Sequence, residues 1–437
     1  MEWYWAVALL LGLIVALMLV GMPIAMAFLG ANIVAAYFFM GGTIGIAQIL
    51  NSGFGAMTSF ALVPIPMFLL MGDLFYHTGL AARMFNAIDG LMGNVRGRLA
   101  YVTVIGGTGF AALSGSSMGS TALLGSLMVP EMMKRGYSKY LSIGPIMGTG
   151  GLAVIIPPSA LAVLLATLGR SDVGALLLAG VLPGVLLATL YAALIFAWTA
   201  VAPDAAPAYA VTAPPLREKL RLVVVDIVPM FAVIVLVIGI MVAGYATPTE
   251  AAAVGCFAVM VLAACYRALS WENFRRSVDA ALRVTVMAFL IILGSATFSQ
   301  ILAFSGASSG LISWATTFDV SPVGMLLIMI AIILFLGCFM DQLSMMLLTA
   351  PIFFPLAKTL GFDLTWFGLI MLLSLEVGYT TPPFGLLLFV MKGVAPAGTT
   401  MRDICLAGAP FILCVMLVIA LIVVFPPIAT WLPAISH

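Results

Sequence analysis

The stretch SGSSMGSTALLGSLMVPEMMKRGYSKYLSIGPIMGTGGLAVIIPP, residues 114–158, decides the fold. Its pattern returns in the second half of the chain. Ser114-Gly115-Ser116-Ser117 leads through Pro130 and Gly136 to Ile155-Ile156-Pro157-Pro158. Phe339-Met340-Asp341-Gln342 leads through Pro355 and Gly361 to Thr380-Thr381-Pro382-Pro383. Each of the four breakers stands 225 positions from its counterpart. The side chains between them match only loosely. Chance is the plainer account in a chain with 24 prolines and 43 glycines, but four breakers at one offset argue for duplication. Proline removes a backbone donor and clashes with the preceding turn, so a proline pair in apolar sequence predicts a broken helix. In hydrocarbon, irregular backbone survives only where protein or a watery cavity surrounds it. Matched breaks in two halves point to a transporter's binding site.

Composition sets the class. Of 437 residues, 64% are hydrophobic and 8% charged, against about 25% charged in soluble domains. Mean hydropathy is +1.25. These values predict an all-α polytopic membrane protein. The net charge of +1, with no basic tract, argues against a nucleic-acid partner. Cys256, Cys265, Cys338, Cys405 and Cys414 are scattered and read as small apolar residues. His77 and His437 are too few for a histidine-based metal site. Trp3-Tyr4-Trp5 suits a membrane interface, and the apolar run to Val20 reads as a first span rather than a cleaved signal.

Further spans are expected at 24–40, 56–76, 141–168, 173–200, 222–243, 251–266, 284–304, 364–391 and 404–425. Trp271 to Arg283 reads as a cytoplasmic connector, and 305–317 as a small polar stretch. Residues 102–129 are rich in glycine, serine and threonine. They suit either a tightly packed span or a re-entrant hairpin, and 322–357 repeat the pattern. Residues 203–221 form a linker between a first half, 1–202, and a second, 222–437. Arg217, Lys219 and Arg221 place the linker in the cytoplasm. Lys134, Arg135 and Lys139 follow the first copy, whereas Lys358 and Asp363 follow the second. That asymmetry fits inverted repeats.

Asp341 and Glu376 lie within apolar sequence, where a charge is costly and points to function. The plainer account is that each caps a helix end or meets a backbone amide. A hard cation such as Na+ wants oxygen ligands. Ser114, Ser116, Ser117, Thr149 and carbonyls near Gly151 supply them in one half. Asp341, Thr380, Thr381 and carbonyls at Gly337 and Gly378 supply them in the other. Glu376 is a candidate coupling carboxylate. An anion would lean on helix N-termini and hydroxyls at the breaks. This nominates Ser117, Thr121, Pro157, Pro158, Ser159, Thr380, Pro382 and Pro383 for substrate binding or gating. Arg170 and Lys392, just past the broken spans, read mainly as interface or topology residues, with guarding a vestibule as the alternative. An intramembrane enzyme would need a nucleophile–base pair or metal cluster at depth; the serines of the first copy have no histidine or lysine at depth nearby in sequence, and no enzymatic activity is expected.

Pro64-Ile65-Pro66-Met67-Phe68, Ser114-Gly115-Ser116-Ser117, Ile156-Pro157-Pro158-Ser159, Gly337-Cys338-Phe339-Met340-Asp341 and Gly378-Tyr379-Thr380-Thr381-Pro382-Pro383-Phe384-Gly385 span most of the chain. Together they resemble the large membrane subunit of tripartite ATP-independent periplasmic (TRAP) transporters. The resemblance implies an elevator-type transporter in a bacterial inner membrane, with about eleven spans, two re-entrant hairpins and two broken helices. It implies a small four-span membrane subunit and a periplasmic solute-binding protein as partners. It also implies sodium-driven import of an organic anion, a carboxylate or sugar acid. Its sodium sites would fall at Ser114, Ser116 and Gly151, and at Gly337, Gly378 and Thr381. No four-span segment precedes the matching region, so the chain resembles the separate large subunit rather than a fused form. The competing expectation is a stand-alone ion-coupled carboxylate carrier.

Overall fold

The computed structural model describes residues 3–207, 215–317, 320–382 and 385–435. Pro383, Phe384 and linker positions 208–214 lie outside the described residues. Among those described, every regular element is helical. Six helices are long and apolar enough to cross a membrane, and seven if the bent pair Lys139–Ile155 and Ala160–Gly169 is one span. Four shorter apolar helices accompany them: Trp3–Leu19, Ile24–Phe39, Pro322–Gly337 and Leu364–Thr380. The chain is a multi-pass, all-helical membrane protein.

The duplication is visible in the helix boundaries. Helix Arg98–Ser114 turns at Gly115 into Ser117–Lys134. Its counterpart, Pro322–Gly337, turns at Cys338 to Asp341 into Gln342–Thr359. The caps Ser116 and Asp341 keep the 225 offset, as do the arms that they open. Gly136 and Gly361 both adopt positive φ, +84° and +78°, which glycine takes without steric cost. Ser138 and Asp363 then cap Lys139–Ile155 and Leu364–Thr380, whose ends again share the offset. The first of these helices bends by 48° across a break into Ala160–Gly169. The second ends at Thr381 and resumes as Leu386–Val394.

A second apolar cluster flanks this repeat core and meets it at Leu347 of Gln342–Thr359. It joins Trp3–Leu19, Ile24–Phe39 and Thr43–Met57 to the long helix Trp271–Phe304. Phe28 meets Phe298 edge-on at 5.3 Å. The buried Asn32 amide donates to the Gly294 carbonyl at 2.8 Å and to Thr297 Oγ1 at 2.7 Å. These bonds offset the cost of burying an amide.

Three local expectations need correction. Trp271 to Arg283 is no separate connector. It is the first third of a 34-residue helix, roughly 50 Å long against a hydrocarbon core of about 30 Å. Its charges sit on the part that overhangs, so no helix breaker was needed. Residues 43–57, which the expected spans leave out, form a helix against the long one, with Gln48, Asn51 and Ser52 diluting its hydropathy. The small polar stretch after Ser305 is helical from Ala307 to Thr317.

Close backbone approach governs the second repeat. A Cβ on Gly337 would lie 2.3 Å from the Gly378 carbonyl carbon, with no flexible side chain to yield. Gly337→Ala is therefore expected to cost about 1–3 kcal/mol. The check is the thermal midpoint of the purified protein, followed as loss of the monodisperse peak after heating. Gly239→Ala, where a Cβ meets nothing within 4 Å, should leave that midpoint unchanged.

Candidate functional site

The turn of the first hairpin meets the first break. A Cβ on Gly115 (φ +58°) would lie 3.7 Å from both the Ala160 nitrogen and the Pro158 carbonyl oxygen. Hydroxyls gather at this contact. Ser114 Oγ and Ser120 Oγ are 2.9 Å apart. Ser116 accepts the Gly119 N–H at 3.1 Å, capping its arm. Ser159 accepts the Ala162 N–H at 3.2 Å and donates to the Val154 carbonyl at 2.7 Å. Positions 151–160, with the cis Pro157–Pro158 bond, are all buried. Protein thus encloses the broken backbone, the only setting in which hydrocarbon permits it. The span from Val173 to Val201 closes the site through two glycines. A Cβ on Gly180 would lie 1.9 Å from the Ile155 carbonyl oxygen, and one on Gly184 would lie 2.3 Å from the Ile156 side chain. Thr149 sits earlier on its helix. It donates to Pro145 and Ile146 carbonyls at 2.9 and 3.2 Å and packs on Gly107 of the first arm.

The second turn and break are joined in the same way. Gly337 and Gly378 touch backbone to backbone, and Cys338 Sγ donates to the Pro382 carbonyl at 3.5 Å. Thr380 donates to the carbonyls of Glu376 and Val377 at 3.0 Å each, and Thr381 to that of Val377 at 2.5 Å. A hydroxyl that gives its hydrogen to its own helix keeps oxygen lone pairs for another partner. Asp341 is the N-cap of its arm. It accepts the Leu343 and Ser344 N–H groups at 3.0 and 3.3 Å, and the Ser344 hydroxyl. The capping account of Asp341 therefore holds in the structure. Pro383, the last of the nominated positions, lies outside the described residues.

Glu376 is neither a cap nor bound to a backbone amide. It lies mid-helix, 3% exposed. Its Oε2 accepts Ser117 Oγ from the first repeat at 3.0 Å and Gln342 Nε2 from the second. Ser117 and Gln342 are counterparts at the 225 offset. Glu376 also packs on its own counterpart: a Cβ on Gly151 would lie 3.0 Å from Glu376 Cγ and 3.3 Å from Oε1. A residue that touches its equivalent marks an approximate two-fold axis, as at an isologous interface. The carboxylate stands on that axis and serves one donor from each half. Glu376 Oε1 and the Tyr191 hydroxyl, both buried and without partners among the described residues, border a cavity of 10 Å³. Thr121 fills the space left by Gly150, where a Cβ would lie 2.7 Å from its Oγ1.

The structure thus brings together Ser114, Ser116, Pro158 and Ser159 at one junction, and Gly337, Gly378, Thr381 and Pro382 at the other. Ser117, Gly151 and Glu376 lie between them. The sequence reading missed Gln342, although its offset from Ser117 was available as a signal. It also missed Gly180 and Gly184, whose role appears only when the break they fit against is in place. Lys392 donates to the Thr399 carbonyl, and Arg170 lines a cleft rather than a plain interface.

Comparison with known proteins agrees with this architecture. The C4-dicarboxylate TRAP transporter large permease protein of Rhodobacter capsulatus is 31% identical over 97% of this chain and 98% of its own length. The protein of the same description from Pseudomonas aeruginosa is 33% identical over 86% of this chain and 85% of its own. The sialic acid TRAP transporter large permease of Vibrio cholerae is 27% identical over 95% and 96%. These relatives are named as transport permeases, not enzymes. The crystal structure of the Alcanivorax borkumensis YdaH transporter shares the fold, with a TM-score of 0.59 at 13% identity over 89% of this chain and 91% of that one. Residues 11–428 match the family described as tripartite ATP-independent periplasmic transporter, DctM component, and the chain belongs to this family as a large membrane subunit.

Proposed function

We propose that this chain imports an organic anion across the bacterial inner membrane, coupled to sodium, together with a small four-span membrane subunit and a periplasmic solute-binding protein. The observation that carries the reading is the pair of turn-and-break junctions, each rich in oxygen atoms and linked through Glu376. The named substrates of the relatives, C4-dicarboxylates and sialic acid, support an organic acid as cargo.

Each junction presents two kinds of helix end. The ends at Ser114, Ile155, Gly337 and Thr380 are C-terminal, with free carbonyls and a negative dipole end. They favour a cation. Sodium as co-substrate would use Ser114, Ser116 and the carbonyls near Gly151 at one junction. At the other it would use Gly337, Gly378, Thr381 and the Asp341 side. The ends at Ser117, Ala160, Gln342 and Leu386 are N-terminal and present amides to an anion. In this reading the two hairpins are re-entrant, and the repeat core moves as an elevator against the scaffold of the N-terminal helices and Trp271–Phe304. Glu376 couples the junctions: displacing either Ser117 or Gln342 alters the donor set of the carboxylate that the other also uses. Coupling then follows if only the doubly loaded core crosses.

The reading is tested by uptake of organic acids into proteoliposomes containing the chain and its small subunit, with binding protein and an inward sodium gradient. Uptake that requires both additions upholds it, whereas uptake without the binding protein would make the chain a stand-alone carrier. Asp341 has two separable roles. Asparagine caps a helix as well as aspartate does, so Asp341→Asn should keep the thermal midpoint. If its charge helps to hold sodium, the variant should need about tenfold more sodium for half-maximal uptake. An unchanged sodium requirement would confine Asp341 to capping.

For Glu376, the single variants Ser117→Ala and Glu376→Met, each of which removes the hydrogen bond, are expected to be non-additive in stability by about 0.6–1.7 kcal/mol. Denaturation of the two single variants and the double variant in detergent reads this coupling. Additive losses would mean that the hydrogen bond contributes nothing.

A further inference from the structure

A sizeable cleft lies away from the turn-and-break junctions. It holds 610 Å³, within the usual range for small-molecule sites. One wall comes from the repeat core: Gly169 and Arg170 after the first broken span, and Ala350 to Lys358 on the second hairpin. The other comes from the scaffold, with Ser52 of Thr43–Met57, Ser299 and Gln300 of the long helix, and Ser308. Among the described residues, its only charged lining residues are Arg170 and Lys358, and no carboxylate lines it. Neither cation has a salt-bridge partner among the described residues. Gln300 Oε1 is buried and without a hydrogen-bond partner among them.

Two further observations bear on these cations. Arg170 adopts φ +51°, a backbone conformation that favours glycine. The chain thus carries a guanidinium where a residue without a side chain would sit more easily. Sidedness is the other. Ser138 N–H donates to the Ala205 carbonyl at 2.9 Å, and a Cβ on Gly136 would lie 3.3 Å from Pro207. The base of the first hairpin therefore abuts the linker, whose basic residues mark the cytoplasm. The broken span starts there, at Lys139, and ends at Gly169, which packs against Phe354 near the end of the second hairpin. Arg170 and Lys358 thus share the face opposite the linker. The positive-inside rule gives cations no reason to be on that face.

We propose that this cleft is an anion-receiving vestibule, in which Arg170 and Lys358 hold the carboxylate of a solute arriving from the periplasmic face before it reaches the junctions. The proposal deepens the transport reading and rests on it for the identity of the ligand. A guanidinium and an ammonium give charge-assisted hydrogen bonds to a carboxylate, and the scaffold serines and Gln300 complete a polar wall. A lipid headgroup phosphate offers the same chemistry, so the test separates the two sources.

The first arm needs no transport. Ser308→Cys is introduced, and its labelling by anionic and cationic methanethiosulfonate reagents is compared, with the parent protein as background for the native cysteines. The anionic reagent is expected to react about tenfold faster relative to the cationic one, and Arg170→Gln with Lys358→Gln should abolish that preference. No preference, or one that survives both substitutions, overturns the vestibule whatever the chain transports. The second arm uses succinate as probe, with the small subunit and binding protein, in liposomes of phosphatidylcholine alone or with phosphatidylglycerol. The double substitution should raise KM about tenfold and leave Vmax within twofold, in both lipids. A defect seen only with phosphatidylglycerol assigns the cations to a headgroup and overturns the proposal, as does an unchanged KM. If the parent takes up no anion under any gradient, the transport reading fails, and the labelling arm still decides whether the cleft draws anions.

Discussion

The carboxylate of Glu376 is the tie on which the repeat core depends. It accepts one hydrogen bond from each half of a duplicated chain and packs against its own counterpart, Gly151. In a medium that offers no water, a buried carboxylate must find donors within the protein. Here both donors come from equivalent positions at the starts of the two second arms, Ser117 and Gln342. The helices that carry them are consequently held in one register along the axis.

Around this tie, the rest of the core satisfies broken backbone. Each helix that stops short of its partner exposes unpaired amides and carbonyls. Ser116, Ser159 and Asp341 accept amides at three of the four restarts. Glycines at 180, 337 and 378 let neighbouring backbones approach far more closely than side chains would permit. The scaffold meets a different requirement. The long helix Trp271–Phe304 is continuous and packs through ring contacts and the Asn32 amide, which suits a wall more than a binding site.

Much of this was legible in the sequence, and for identifiable reasons. Proline and glycine act locally, so Gly136, Pro157 and their partners 225 positions on announced the helix ends and breaks without tertiary information; Pro130 and Pro355 marked the duplication but lie inside continuous helices. The serines beside the breaks were nominated as oxygen ligands, and the structure adds that Ser116 and Ser159 cap the helices that restart there. Asp341 was read as a charge at depth with a helix cap as the alternative, and the structure shows the cap. Linear sequence does not say whether an acidic residue opens a helix when its flanks are apolar. Glu376 was noticed, but its donors were not, since they lie 259 and 34 residues away. The overhang of Trp271–Phe304 was misread because charge alone does not end a helix. A vestibule at Arg170 was only an alternative in the sequence, because the cleft's walls come from segments far apart along the chain.

The meeting of Gly151 with Glu376 bears on how such a molecule arises. When a gene doubles and its halves fold about an axis, most positions are free to stay alike. A position on the axis is not, for two identical large side chains would occupy the same space and two identical charges would repel. One copy must give up its side chain so that the other can keep a functional one. Unequal halves are then a steric consequence of the symmetry itself. The central charge of the core is single because there is room for only one.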